Sequence, residues 1–125
     1  MSFYKPTDSE LEILQILWEH GPSSVRFVHE ILAEEKSVGY TTTLKIMQIM
    51  ADKSIVKRDT SSRTHIYEAA INEEQTQKQL LDKFVEGTFR GSAMKMVLSA
   101  LGNNKASKEE LAAIKDLIKK IEEEE

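Results

Sequence analysis

The segments Ile55-Val56-Lys57-Arg58, Asp59-Thr60-Ser61-Ser62 and Arg63-Thr64-His65-Ile66-Tyr67 spell a strand, a small polar tip and a returning strand. This basic hairpin stands in a chain whose other apolar residues recur at helical spacing, and it follows directly on a helical segment, Thr42 to Lys53. Thr41-Thr42 supplies the expected cap of that helix, because hydroxyls there can accept from the free N–H groups of a first turn. From Lys36 to His65 there are six Lys or Arg against two acids, in a protein of net charge -4. A local positive field on an acidic chain fits contact with a phosphate backbone.

The 125 residues allow one ordinary domain, or one small domain with an appendage. Charged residues make up 30% and hydrophobic ones 40%, which is the composition of a soluble folded chain. No apolar run approaches a membrane span and Met1 to Pro6 lacks an h-region, so the expected location is the cytoplasm, without membrane insertion. The absence of Cys removes disulfides, thiolate catalysis, iron–sulfur clusters and Cys-based zinc sites. Split at Asn72, each half carries a charge of -2, with 8 basic and 10 acidic residues before and 9 and 11 after. Only the central window stands out, so the basic argument is a local one.

Thr7-Asp8-Ser9-Glu10 has the form of a capping box ahead of Leu11, Leu14, Leu17 and Trp18. A first helix is therefore expected from Asp8 to His20, stopped by Gly21-Pro22. Ser23 or Ser24 caps a second helix with Val25, Val28, Ile31 and Leu32 on one face. Glu34-Glu35-Lys36 is its solvated end and Ser37-Val38-Gly39 the turn out. On the third helix Leu44, Met47, Met50 and Ala51 share one side, while Thr42, Lys45 and Ile49 project from the opposite one. That outer face is the candidate for the major groove, although any exposed helix could show such a face. Three helices followed by a basic hairpin is the order of a winged helix-turn-helix, with helix 3 in the groove and the wing on the neighbouring backbone. Arg58 and Arg63 bracket the tip, where Ser61 and Ser62 can donate to phosphate oxygens; charged hairpin tips are otherwise solvated turns.

Beyond Asn72 the pattern changes. Asn72-Glu73-Glu74-Gln75 has the form of a capping box, opening a helix with Leu80, Leu81, Phe84 and Val85, which Gly87 interrupts before Thr88-Phe89-Arg90-Gly91. Ser92 opens Ala93 to Leu101, with Met94, Val97, Leu98 and Leu101 at helical spacing, and Gly102-Asn103-Asn104 stops it. Ser107 to Glu110 caps a last helix whose Leu111, Ile114, Leu117, Ile118 and Ile121 resemble one seam of a coiled coil. Such short amphipathic pieces can cover one another or be buried in a symmetric partner, and the second is the simpler solution, a homodimer. Glu122 to Glu125 is expected as a solvated, frayed end.

His20, His29 and His65 are not spaced as a metal site, and no phosphate-cradling glycine loop or nucleophile elbow is present. His29 is expected along the partly exposed side of helix 2 and His65 in a wing strand. Neither a metal, a cofactor nor an enzymatic role is expected.

The chain resembles the BlaI/MecI/CopY family of bacterial repressors, which includes the penicillinase and methicillin-resistance repressors. The resemblance covers nearly the whole length. It rests on Pro6-Thr7-x-x-Glu10-x-x-Ile13-Leu14-x-x-Leu17-Trp18, Gly21, the Val25 to Leu32 helix and Tyr40-Thr41-Thr42. Further matches are Ala51-Asp52-Lys53-Ser54-Ile55-Val56, Arg63, and Phe84-Val85-x-Gly87-x-Phe89. It implies a mainly α fold with a small β-hairpin: a winged helix-turn-helix domain over residues 1–72 and a helical dimerisation arm over residues 73–125. A homodimer would then bind a palindromic double-stranded DNA operator and block transcription. Transferred to this sequence, the recognition face falls on Thr41, Thr42, Lys45, Gln48 and Ile49, and the wing on Arg58, Ser61, Ser62 and Arg63. Dimerisation falls on the apolar positions of the arm, Phe89 included.

Two departures bear on function. Arg is common in the family at the place of Ile49, so base preference here differs, a branched alkyl group suiting a thymine methyl. Members tied to β-lactam resistance are inactivated when a membrane sensor-protease triggers cleavage at an Asn-Phe bond, and Ser99-Ala100 stands at that place. The Cys-x-Cys cluster of copper-responsive relatives is absent. A protein-interaction adaptor built on the same winged fold, without DNA binding, is the competing expectation.

Overall fold

Thr7 and Glu10 close the capping box reciprocally: the Thr7 hydroxyl accepts from Glu10 N at 3.1 Å, and the Glu10 carboxylate accepts from Thr7 N at 2.9 Å. Helix α1 then runs over Asp8–His20 and ends at Gly21, whose N–H donates to Leu17 O at 2.8 Å. Gly21 sits at φ 80 and ψ -166, a conformation essentially confined to glycine. The computed structural model describes residues 4–103 and 106–124. Asn104 of the expected stop, Glu125 of the acidic tail and residues Met1 to Phe3 lie outside these.

The chain divides into two compact units, Met1–Leu80 and Leu81–Glu125. In the first, α1 is followed by β1 (Ser23–Ser24), α2 (Val25–Glu35), α3 (Tyr40–Asp52), β2 (Val56–Asp59) and β3 (Ile66–Ala69). The strands form an antiparallel sheet of order β1-β3-β2, with Ser23 opposite Tyr67 and Val56 opposite Ala69. The sequence showed the hairpin but not β1, because Ser-Ser has no strand preference and is extended only by pairing with β3. Ser24 also caps α2, its hydroxyl accepting from Phe27 N at 3.1 Å. The core joins all three helices to the sheet: Ile13 and Tyr67 are 1% exposed, and Leu14, Val28, Met47 and Met50 fully buried. The buried side of α1 is wider than expected, since Ile13 and Ile16 are inside while Leu11 and Trp18 are half-buried. Trp18 Nε1 donates to Ile71 O at 3.0 Å, which satisfies the indole at the core margin.

Helix α3 starts earlier than its hydroxyls indicate. Gly39, extended at φ -82 and ψ 151, is the N-cap; its carbonyl accepts from Thr42 N at 3.1 Å and Thr43 N at 3.2 Å. Thr41 and Thr42 therefore lie within the first turn and do not cap it. Between α3 and β2, Ser54 takes a left-handed φ of 65, turning the chain so that Ile55 N reaches Met50 O at 3.1 Å. The returning strand begins at Ile66, so Arg63, Thr64 and His65 belong to the tip rather than to β3.

Helix α4 (Glu73–Phe89) begins at Asn72, whose side chain accepts from Gln75 N at 2.9 Å. It passes through Gly87, against the expected interruption: an interior glycine costs a helix only about 1 kcal/mol relative to alanine. The break falls instead at Arg90 and Gly91, with φ of 53 and 84. Ser92 caps α5 (Ala93–Asn103), accepting from Lys95 N at 3.1 Å. Ser107 and Glu110 form the expected capping box of α6 (Lys108–Glu124), at 2.9 and 3.0 Å.

The second unit has little interior of its own. Among its described residues Val85 is the one buried large hydrophobic side chain, and α6 has no buried residue. Leu81, Phe84, Met94, Val97, Leu98, Leu101, Leu111, Leu117, Ile118 and Ile121 are all exposed, while Phe89 and Ile114 are half-buried; Leu80, the last residue of the first unit, is half-buried as well. The Phe84 and Phe89 rings meet edge to face at 5.7 Å.

Candidate nucleic-acid interface

Burial divides α3 into two sides. Thr43, Met47 and Met50 are inside, with Leu44, Ile46 and Ala51 half-buried beside them. Thr41, Thr42, Lys45, Gln48 and Ile49 are exposed, and their spacing of four and three places them along one side of the helix. Ile49 is 37% exposed, an apolar group in a polar stripe. Because Gly39 supplies the backbone cap, the Thr41 and Thr42 hydroxyls are not spent on capping.

The inner side also anchors α3 to α2. His29 is half-buried, and its Nδ1 lies 3.1 Å from Oγ1 of the fully buried Thr43. The same imidazole meets the Tyr40 ring edge-on at 5.6 Å. Neither Thr43 nor Tyr40 stood out as a site residue in sequence. The interior position of Thr43 comes from tertiary packing, which hydroxyl chemistry alone does not announce.

The basic window is weaker than its sequence count. Lys36 pairs with Glu12 at 3.0 Å, and Lys53 pairs with Glu10 at 3.0 Å while donating to Tyr4 Oη at 2.6 Å. Tyr4 in turn donates to Glu10 Oε1 at 2.9 Å. Glu10 is only 3% exposed. Burial alone would raise its carboxyl, but the hydrogen bonds from Thr7 N–H, Lys53 and Tyr4 outweigh it and hold the group below its ordinary value. Lys53 is raised by the Tyr4 and Glu10 contacts. Lys45, Lys57, Arg58 and Arg63 make no ion pair among the described residues and remain the charge available to a ligand.

The wing tip is ordered by its own side chains. The Asp59 carboxylate accepts from Ser61 N at 2.9 Å, and the backbone and hydroxyl of Ser61 hold its carboxyl below the usual range, with His65 adding to the effect. Ser62 donates its hydroxyl to Thr64 O at 2.8 Å, so that its one proton is engaged within the tip. Arg58, on β2, and Arg63, within the tip itself, stay exposed. A groove of about 330 Å³ separates this tip from α3 and the start of α2; Arg26, Tyr40, Gln48, Arg63 and His65 are among its walls. Among the described residues no cluster of His, Asp or Glu is arranged to hold a metal ion, and no helix is long and apolar enough to cross a membrane.

Residues 6–120 match the family model described as penicillinase repressor. A protein of Mycobacterium tuberculosis named transcriptional regulator BlaI is 34% identical over 61 residues, 48% of this chain and 44% of that one. The match thus spans less than half of that relative's length. The penicillinase repressor of Bacillus licheniformis is 24% identical over 105 residues, 84% of this chain and 82% of that one. In fold, the chain is similar to a MarR family protein from Bacillus stearothermophilus, with a TM-score of 0.51 and 19% identity over 97% of this chain and 76% of the other.

Proposed function

The chain belongs to the penicillinase repressor family, whose members are DNA-binding transcriptional regulators and not enzymes, and we propose that it binds a palindromic double-stranded DNA operator as a homodimer. In this reading α3 enters the major groove and the β2–β3 wing meets the adjacent backbone. The observation that carries it is the single exposed side of α3, Thr41, Thr42, Lys45, Gln48 and Ile49, together with Arg58 and Arg63, which form no ion pair among the described residues. Phosphate contacts supply affinity and register, and the α3 side chains supply discrimination. The direct test is Lys45→Ala, which should weaken operator binding measured by fluorescence anisotropy at moderate salt. Unchanged binding would remove α3 as the reading element.

The two other proposed contacts have separate signatures. Arg63→Ala should weaken specific and random DNA alike and reduce the slope of log affinity against log salt by about one unit, as expected for one lost phosphate contact. Ile49 should lie against a thymine methyl. Replacing the contacted thymine by uracil should therefore weaken wild-type binding and leave Ile49→Ala indifferent to the change; equal affinity of the wild type for both operators would contradict that contact.

We assign residues 1–72 to DNA binding and residues 73–125 to dimerisation. The exposed apolar faces of α4, α5 and α6 support the second assignment, since patches of this kind on a single chain mark association surfaces. A cytoplasmic location and response to a membrane sensor-protease accompany this reading. Ser99 and Ala100 lie inside α5, so cleavage at that bond would require the helix to open locally.

A further inference from the structure

The groove between the wing, α3 and the start of α2 has an uneven chemistry. Arg26, Arg63 and His65 line it, and among the described residues no Asp or Glu does. Arg26 has a natural ion-pair partner in Glu30, one turn on along α2, yet the two form no salt bridge. Its guanidinium instead stands over Tyr40, with Cζ 5.6 Å from the ring centroid. Tyr40 is itself braced by His29, and His29 is hydrogen-bonded to the buried Thr43. The position of Arg26, exposed as it is, is thus linked through three side chains to the interior face of α3.

We propose that this groove receives one phosphodiester of the DNA backbone, held from the α2 side by Arg26 and from the wing side by Arg63. Helix α2 is then a third DNA-contacting element, which deepens the function proposed above and rests on it. A guanidinium stacked on a ring keeps its N–H edge free, and that planar fork matches two phosphate oxygens. Gln48 belongs both to the groove wall and to the exposed side of α3, so a phosphate seated there is carried by the same duplex whose bases α3 reads. Tyr40 acts as a positioning residue that pre-orders the arginine.

The test uses the full chain and random duplex DNA, with anisotropy titrations across a salt series for wild type, Arg26→Ala, Arg26→Lys, Arg63→Ala and the double Arg26→Ala/Arg63→Ala. Arg26 is exposed, so thermal melts of these proteins should agree. Arg26→Ala should bind about tenfold more weakly, the low end for a charge-assisted hydrogen bond, with the salt slope reduced by about one unit. Arg26→Lys should restore the slope but only part of the affinity, because an ammonium cannot reproduce the fork. The double variant should lose less than the product of the single losses, as two groups on one phosphate are coupled. Wild-type affinity and slope in Arg26→Ala, with Arg63→Ala still impaired, would overturn the α2 contact while leaving DNA binding intact. Strict independence of the two substitutions would overturn the shared phosphate. A wild-type chain without salt-sensitive duplex binding would overturn the functional reading, and this inference with it.

Discussion

Leu98→Asp or Ile118→Asp is expected to convert the protein to a monomer and to lower operator affinity by about a hundredfold or more, the gain ordinarily supplied by linking two modules. Leu98 is 64% exposed and Ile118 51% exposed in the single chain, on helices that bury almost nothing of their own. Burying these side chains against a second copy would stabilise the pair, whereas a carboxylate in their place would have to be desolvated without a partner. Each winged unit offers only four cations in its central window that form no ion pair among the described residues, so one copy alone is expected to bind DNA weakly. Sedimentation velocity reads the association state, and anisotropy on full and half operators reads the affinity. The variant should match wild type on an isolated half-site and fall behind it on the palindrome. A wild type that is monomeric at micromolar concentration would contradict the account, as would an Asp variant that remains dimeric.

The second large effect lies at the other end of the chain. Glu10→Gln should destabilise the winged unit by about 2–3 kcal/mol near neutral pH, the scale of a lost charge-assisted hydrogen bond together with a weakened cap. Glu10 is almost wholly buried and serves Thr7 N, Tyr4 Oη and Lys53 Nζ at once. An amide in its place offers one acceptor and forces its NH2 group toward donors. The pH dependence has a definite sign. The folded carboxyl lies below its ordinary value of 4.5, so the native state favours the charged form more than the unfolded chain does. That stability is complete above the ordinary value and is lost as pH falls through the lower, folded value. The gap between wild type and Glu10→Gln in urea melts should therefore be constant from neutrality to about pH 5 and close in more acidic buffer. A gap unchanged at pH 3 would show that the ion pair and cap contribute nothing through the charge.

What could be read from sequence was what local chemistry decides. The bounds of α1 followed from Thr7, Glu10 and Gly21, because each acts on backbone groups within a few residues. The caps at Ser24, Ser92 and Ser107 were legible for the same reason. The outer face of α3 followed from helical periodicity, since the buried Met47 and Met50 fix which side is left. Where the backbone itself did the capping, at Gly39, hydroxyl residues nearby misdirected the start of the helix. Strand β1 was invisible because its two serines are extended only by pairing with Tyr67 and Ile66.

The charge of the central window was overcounted for a similar reason. Glu12 lies 24 residues from Lys36 and Glu10 lies 43 from Lys53, so α1 neutralises cations that look free in a local count. Arg26 shows the converse: an arginine on the exposed side of α2 comes to line the same groove as Arg63 only once the wing, α3 and the start of α2 are brought together by the fold. Its signal was present only as the match at Tyr40, the ring on which it rests.

The most direct measurement begins with the DNA upstream of the protein's own coding sequence. An inverted repeat from that region, its half-site alone and a scrambled duplex should be titrated with purified protein across a salt series. The repeat should bind two protomers cooperatively, the half-site should bind far more weakly, and all binding should decline steeply with salt. Equal, salt-insensitive affinity for all three duplexes, or no binding to any, would contradict operator binding as a homodimer.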